Sequence, residues 1–214
     1  MAKSTALAGN ALAVLILKLM HPFAVRYNEI SLPKLKEVKH YTSTFLVPRV
    51  TKVSVNCGIG DILTNDKAVE EVAKLLTAIT GQKPVETKAH KAISGFKIRQ
   101  DMVVGLKVTL RGARMQDFII KLSDLALPRT RDFRGLKPSS ITADGNLNIG
   151  IKDSLIFPET SQEGLGHILQ VTLVSTAKTT EEARLLFESL NFYFGNEEEL
   201  RDKKKPGKHQ HKRK

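Results

Sequence analysis

Two stretches of this chain alternate between apolar and polar residues with a period of two, and they constrain the fold more than any other feature. Val50-Thr-Lys-Val-Ser-Val-Asn-Cys57 is rich in β-branched residues; as a strand it puts Lys52, Ser54 and Asn56 on one face, with Val53 and Val55 on the other. Residues 103–111 repeat the pattern, with Lys107, Thr109 and Arg111 on one face and Leu106, Val108 and Leu110 on the other. Strands of this kind bury one side and leave the other wet. That is the habit of an antiparallel sheet, not of a parallel sheet covered on both faces.

Helical signals lie between and around them. Asp66 to Thr80 carries Ala68, Val69, Val72, Leu75, Leu76 and Ile79 at helical spacing, and Gly81 stops it. Ser31-Leu-Pro33 reads as an N-cap with a first-turn proline, opening a helix to about His40. Residues 112–126 form another amphipathic helix through Met115, Phe118, Ile119, Leu122 and Leu125, closed by Pro128. Thr179-Thr-Glu-Glu182 is a capping box for a last helix through Leu185, Leu186 and Leu190. Further strands are expected at residues 85–87, 96–99, 141–151 and 168–175, with a small-residue basic loop at 88–95. Strands and helices do not alternate strictly, and short loops join several neighbouring strands. The fold class expected is therefore α+β: an antiparallel sheet with helices packed on one face, in a single two-layer domain.

Charge divides the chain further. The net charge of +12 over 214 residues points to a polyanionic partner, nucleic acid before anionic membrane. Residues 1–112 carry 17 Lys/Arg against 8 Asp/Glu, residues 113–200 carry 9 against 13, and residues 201–214 carry 8 against 1. The last stretch has no apolar residue to bury and is expected to be a disordered basic tail. Within folded-looking sequence, residues 83–111 hold Lys83, Lys88, Lys91, Lys97, Arg99, Lys107 and Arg111 against Glu86 and Asp101. Residues 5–20 are mostly apolar but too short to span a bilayer as an ordinary helix, and no small-x-small cleavage site follows. They are read as an extension or a short buried helix, with Met20 as another possible start. The organisation expected is a 1–22 extension, a 23–195 domain and a 196–214 tail.

Enzyme signatures fail. Asn56-Cys-Gly-Ile-Gly-Asp61 begins like a dinucleotide loop, but Leu63 stands where the third glycine belongs. A nucleotide-binding enzyme built on that turn is the alternative function, and a membrane-surface protein anchored by residues 5–20 is a third. The lone Cys57 closes no internal disulfide and reads as a small buried residue. His209 and His211 lack the partners of a metal site. No catalytic residue, metal ligand or cofactor is assigned. With no Trp, 9 Phe and 3 Tyr, the chain is poor in stacking platforms for unpaired bases. A flat polar sheet face suits the wide, shallow minor groove of A-form RNA instead.

A series of motifs in order then carries a resemblance: Val47-Pro-Arg-Val50, Thr80-Gly-Gln-Lys-Pro84, Gly95-Phe-Lys-Ile-Arg99, Lys107-Val-Thr-Leu-Arg111, Pro128-Arg-Thr-Arg-Asp-Phe-Arg-Gly135 and Phe157-Pro-Glu159. From about residue 45 to 194 the chain resembles the bacterial-type 5S rRNA-binding family of the large ribosomal subunit, large-subunit ribosomal protein five. The resemblance implies a structural constituent of the large subunit that binds 5S rRNA and helps attach it to the central protuberance. It implies 5S rRNA contacts at Lys52, Asn56, Gln82, Thr109 and Arg111, all of matching residue type. It also implies a loop at 91–102 toward the P-site tRNA, with Lys91, Gly95, Lys97 and Arg99 its candidate residues and Gly95 giving the tip its freedom. Neighbouring 5S-binding proteins, and a small-subunit head protein across an intersubunit bridge, are the protein partners implied. The implied location is the cytoplasmic ribosome, with an organelle ribosome as the alternative. Residues 1–20, about the last 18 residues, and the Asp101-Met102 pair depart from the family pattern.

Overall fold

The computed structural model describes residues 21–60, 66–96, 98–131, 133–160 and 167–195. The expected tail, and all of the expected extension but His21 and Pro22, lie outside these residues. Five strands, β1 (Val50–Gly58), β2 (Val85–Lys88), β3 (Val103–Leu110), β4 (Leu147–Ile151) and β5 (Leu169–Ser175), form one sheet in the order β2-β3-β1-β5-β4. Every neighbouring pair is antiparallel. The central strand β1 shows the alternation most clearly: Val53, Val55 and Cys57 are buried, while Lys52, Ser54 and Asn56 are half-buried on the opposite face.

Register extends that division across the sheet. Val53 faces Leu110 and Leu173, Val55 faces Val108 and Val171, and Cys57 faces Leu106 and Leu169. Leu147, Ile149 and Ile151 continue the rows on β4. All of these side chains belong to one core, roofed by helices on that side. α1 (Pro22–Arg26), α2 (Leu32–Lys39), α3 (Asp66–Thr80), α4 (Gly112–Ile120), α5 (Leu127–Arg129) and α6 (Thr180–Ser189) supply Phe23, Leu35, Leu76, Phe118, Leu127 and Leu186 to it. Each fully buried Leu, Ile or Phe contributes roughly 1.5–3 kcal/mol of transfer free energy. The α+β architecture with helices on one face is therefore as expected. Among the described residues no helix is long and apolar enough to cross a membrane.

Prolines account for two differences from expectation. Ser31 is no N-cap: its backbone is helical, its side chain caps nothing, and helix runs through it from Pro22 to Lys39. Pro128 does not close its helix either, which continues to Arg129. Both prolines follow a π-helical segment, Tyr27–Ser31 before Pro33 and Lys121–Ala126 before Pro128. Leu32 N–H donates to the Tyr27 carbonyl and Leu127 N–H to the Leu122 carbonyl, each bond reaching back five residues. This wider turn eases the clash between a proline ring and the preceding turn that would break an α-helix. Ser31 Oγ instead shares a 2.7 Å hydrogen bond with Ser189 Oγ, joining the first helical run to α6 in the core.

Two expected strands are also revised. Of residues 96–99, the described ones belong to no named strand: Phe96 ends a 3-10 turn, Ser94–Phe96, and Ile98 makes an isolated bridge with Ile93 inside a hairpin extension. Of residues 141–151, only Leu147–Ile151 is a strand, because Thr142 to Asn146 fold into a tight turn with Gly145 at φ 74°. The capping box stands, with a variation: Thr179 Oγ1 accepts from Glu182 N–H at 3.3 Å, while Glu182 Oε2 reaches back to Lys178 N–H at 3.1 Å.

Candidate nucleic-acid interface

The face of the sheet away from the helices carries the polar positions of β1, β3, β4 and β5, and Val85 and Thr87 of β2. One row across it reads Val85, Lys107, Asn56, Gln170 and Gly150, from β2 to β4. The next reads Thr109, Ser54, Thr172 and Asn148. Beyond that, Lys52 stands opposite Val174. Thr87 and Gly105 flank the first row on the other side. Gly105 has a steric reason: a Cβ there would lie 2.9 Å from Thr87 Oγ1 and 3.1 Å from the Cys57 carbonyl.

No outward strand position of the described residues holds an Asp or Glu, in a chain with 22 of them. The charges on the face are Lys52 and Lys107, with exposed Arg111 one residue past β3. A face that combines cations with neutral donors and acceptors can bind phosphates without repelling them and can hydrogen-bond sugars and base edges.

The structure distributes the five residues expected to meet 5S rRNA along β1, β3 and the chain next to them. Lys52 and Asn56 lie on β1, and Thr109 lies beside Ser54 on β3. Arg111 is extended, with φ −142° and ψ 165°, and precedes Gly112, whose φ of 59° turns the chain into α4. Gln82 arrives from the end of α3: Gly81 takes φ 69°, the Gln82 N–H donates to Thr80 Oγ1 at 3.3 Å, and its Nε2 reaches the Thr109 carbonyl at 3.4 Å. Residues 170, 172 and 148 continue the same surface. The alternation in Leu169-Gln-Val-Thr-Leu and Leu147-Asn-Ile-Gly-Ile was the signal for them, and the sequence reading did not use it.

The loop between β2 and β3 is a continued hairpin. Ala89 N–H donates to the Met102 carbonyl at 2.8 Å and Asp101 N–H to the Ala89 carbonyl at 2.9 Å. Farther out, Ile93 and Ile98 exchange two bonds, at 2.9 and 3.1 Å. Lys91, Gly95 and Arg99 are exposed on it, and Lys97 lies outside the described residues. Gly95 does not use a left-handed backbone; among the loop's described residues the left-handed one is Asp101, with φ 63°. Phe96, 74% exposed, stands at the tip.

The first half of the glycine turn behind the nucleotide alternative, residues 56–58, is part of the sheet. Asn56, Cys57 and Gly58 pair with Lys107, Leu106 and Gly105, so their backbone groups belong to the ladder and form no free cradle for phosphate. Cys57 is buried, and burial pushes its thiol above the ordinary range, which removes it as a nucleophile.

Comparison with known proteins identifies the family of the chain. Residues 43–99 match the family described as Ribosomal protein L5, and residues 103–194 match the model for the C-terminus of the same ribosomal family. The "Large ribosomal subunit protein uL5" of Acaryochloris marina is 48% identical over 170 residues, covering 78% of this chain and 94% of that protein. That of Syntrophomonas wolfei is 46% identical over 170 residues, covering 78% and 96%. That of Lactobacillus delbrueckii subsp. bulgaricus is 44% identical over 174 residues, covering 80% and 97%. At this identity, over nearly the whole length of its relatives, the chain belongs to the uL5 family of large ribosomal subunit proteins, structural components of the ribosome rather than enzymes.

Proposed function

We propose that this ribosomal protein binds 5S rRNA through the open face of its sheet and helps attach it to the central protuberance of the large subunit. Lys52, Asn56, Gln82, Thr109 and Arg111 form the contact. The observation that carries the reading is an outer face whose described strand positions hold no Asp or Glu, with two lysines and an arginine among rows of Asn, Ser, Thr and Gln. Cations there meet phosphates, and the neutral groups meet 2′-hydroxyls and base edges in a shallow minor groove. The hairpin extension between β2 and β3 reaches toward the P-site tRNA, and Lys91, Lys97 and Arg99 meet its backbone. Neighbouring 5S-binding proteins and a small-subunit head protein complete the surroundings.

Filter binding of the purified chain to 5S rRNA, against an unrelated RNA duplex of equal length, tests the first part. Preference for 5S rRNA is expected, with affinity falling steeply as salt rises. Equal binding to both RNAs would overturn it. For the second part, footprinting of tRNA on ribosomes assembled with Lys91→Ala and Arg99→Ala should show lost protection at the P site. Unchanged protection would remove the loop from that role.

A further inference from the structure

We infer that Thr172 and Asn148 together recognise a ribose 2′-hydroxyl, which makes them a point where the sheet face selects RNA over DNA. The inference rests on the proposal that this face binds RNA, and it concerns two residues outside the five contacts assigned above.

Thr172 and Asn148 face each other on β5 and β4, and Thr172 Oγ1 donates to Asn148 Oδ1 at 2.7 Å. Among the described residues, no other side chain–side chain hydrogen bond joins outward positions of the sheet. The bond uses the threonine's proton and one face of the amide oxygen. The lone pairs of Thr172 Oγ1 and both hydrogens of Asn148 Nδ2 remain free among the described residues. A 2′-hydroxyl needs an acceptor for its proton and a donor for its oxygen, and this pair offers one of each. The internal bond also holds both side chains in place before RNA arrives, which lowers the ordering cost of binding.

Surroundings favour the same partner. Thr172 and Asn148 end the neutral row that begins at Thr109 and Ser54. That row spans four strands, or about 14 Å at the usual strand spacing. Lys107 stands in the row on one side and Lys52 on the other, so the row's hydroxyls and amides lie between two cations. An A-form minor groove presents the same order: riboses with their 2′-hydroxyls between two phosphate lines. Gly150, two residues beyond Asn148 on the same face, has open space where a Cβ would stand, and this clears the approach to the pair.

The test uses the full chain and two 5S rRNA molecules, one with ribose throughout and one with 2′-fluoro at every nucleotide. Fluorine keeps the A-form sugar pucker but cannot donate a hydrogen bond. The unmutated protein should bind the fluorinated molecule about tenfold more weakly, the range of one or two lost hydrogen bonds. Thr172→Val and Asn148→Ala should weaken binding to the ribose molecule by a similar factor and lose most of the difference between the two. Equal affinity of the unmutated protein for both molecules would overturn the inference, and that measurement needs no variant to fold. Variants that keep the full difference would overturn it as well. A protein that prefers 5S rRNA yet ignores the fluorine loses this inference alone, whereas one with no affinity for RNA loses the proposed function too.

Discussion

Arg26 holds both carboxylate oxygens of Asp124, at 3.1 and 2.8 Å, across 98 positions of sequence. Ser123 Oγ and Asn191 Nδ2 donate to the same carboxylate at 3.0 and 2.9 Å. One side chain thus joins α1, the π-helical segment after α4 and the residues after α6. The Arg26 guanidinium, aided by Asn191 and Ser123, holds the Asp124 carboxyl below its ordinary value near 3.8, against the opposing effect of burial. Asp124→Ala should lower unfolding free energy by about 2 kcal/mol, the scale of charge-assisted hydrogen bonds. Because the folded-state value is depressed, this contribution is present above the unfolded value and fades as pH falls through the folded one. Urea melts at neutral pH and near pH 3 should therefore show the variant's deficit shrinking in acid; a constant deficit would contradict the assignment.

Gly135 adopts φ 102°, and a Cβ there would lie 2.5 Å from the Gly195 nitrogen and 2.7 Å from the Tyr193 ring. The crowding comes from a short parallel bridge: Leu136 N–H donates to the Tyr193 carbonyl at 2.8 Å, and Gly195 N–H to the Leu136 carbonyl at 3.0 Å. Gly135→Ala should cost several kcal/mol, roughly 2–4, through left-handed strain and the clash. Adding Tyr193→Ala should restore little, because the nearer obstacle is backbone. Denaturant midpoints of the single and double variants check this.

Tyr41 gives a signal at the alkaline end. Burial, and then the neighbouring Glu182 carboxylate, push its hydroxyl up to about 12, and the buried oxygen has no hydrogen-bond partner of good geometry among the described residues. With the folded value above the ordinary 10, its contribution to stability is whole below pH 10 and is lost as pH rises toward 12. Tyr41→Phe should flatten the loss of stability between these limits and change stability at neutral pH by less than about 1 kcal/mol, since no bond is broken. Thermal melts across that window, with phenolate absorbance, read both effects.

How far the sequence could be read depended on how local the governing physics was. Asp66 to Thr80 has the bounds expected of it, because periodicity and Gly81 are local signals. The alternation in β1 and β3 placed Lys52, Asn56 and Thr109 on one face without knowledge of their partners. Pro33 and Pro128 misled because the π-helical turns that accommodate them have no simple sequence mark, and Ser31 looked like a cap although its partner, Ser189, is 158 residues away. The turn inside residues 141–151 did have a signal, Asp144-Gly145, hidden within an apolar-looking stretch. Thr172 is different again. It stands beside Ser54 through strand order, and β1 lies between β3 and β5 only in the folded sheet.

The proposed function leads to a prediction that separates the sheet face from the basic residues 201–214. The sheet face holds Asn56 opposite Lys107, with Arg111 one residue past β3, whereas residues 201–214 hold 8 Lys/Arg against 1 Asp/Glu. Contacts to phosphate strengthen binding to any RNA and set its salt dependence, while contacts to sugars and base edges choose among RNAs. Asn56→Ala combined with Arg111→Ala should therefore weaken 5S rRNA binding by about ten- to a hundredfold and reduce its margin over an unrelated duplex. Deleting residues 201–214 should weaken both RNAs alike and leave the margin intact. Lys107→Ala should do the same on a smaller scale, lowering the slope of log affinity against log salt by about one. Binding isotherms at three or more salt concentrations, on both RNAs, separate these outcomes. If tail deletion abolished the preference for 5S rRNA while the double variant kept it, recognition would belong to the tail and not to the sheet.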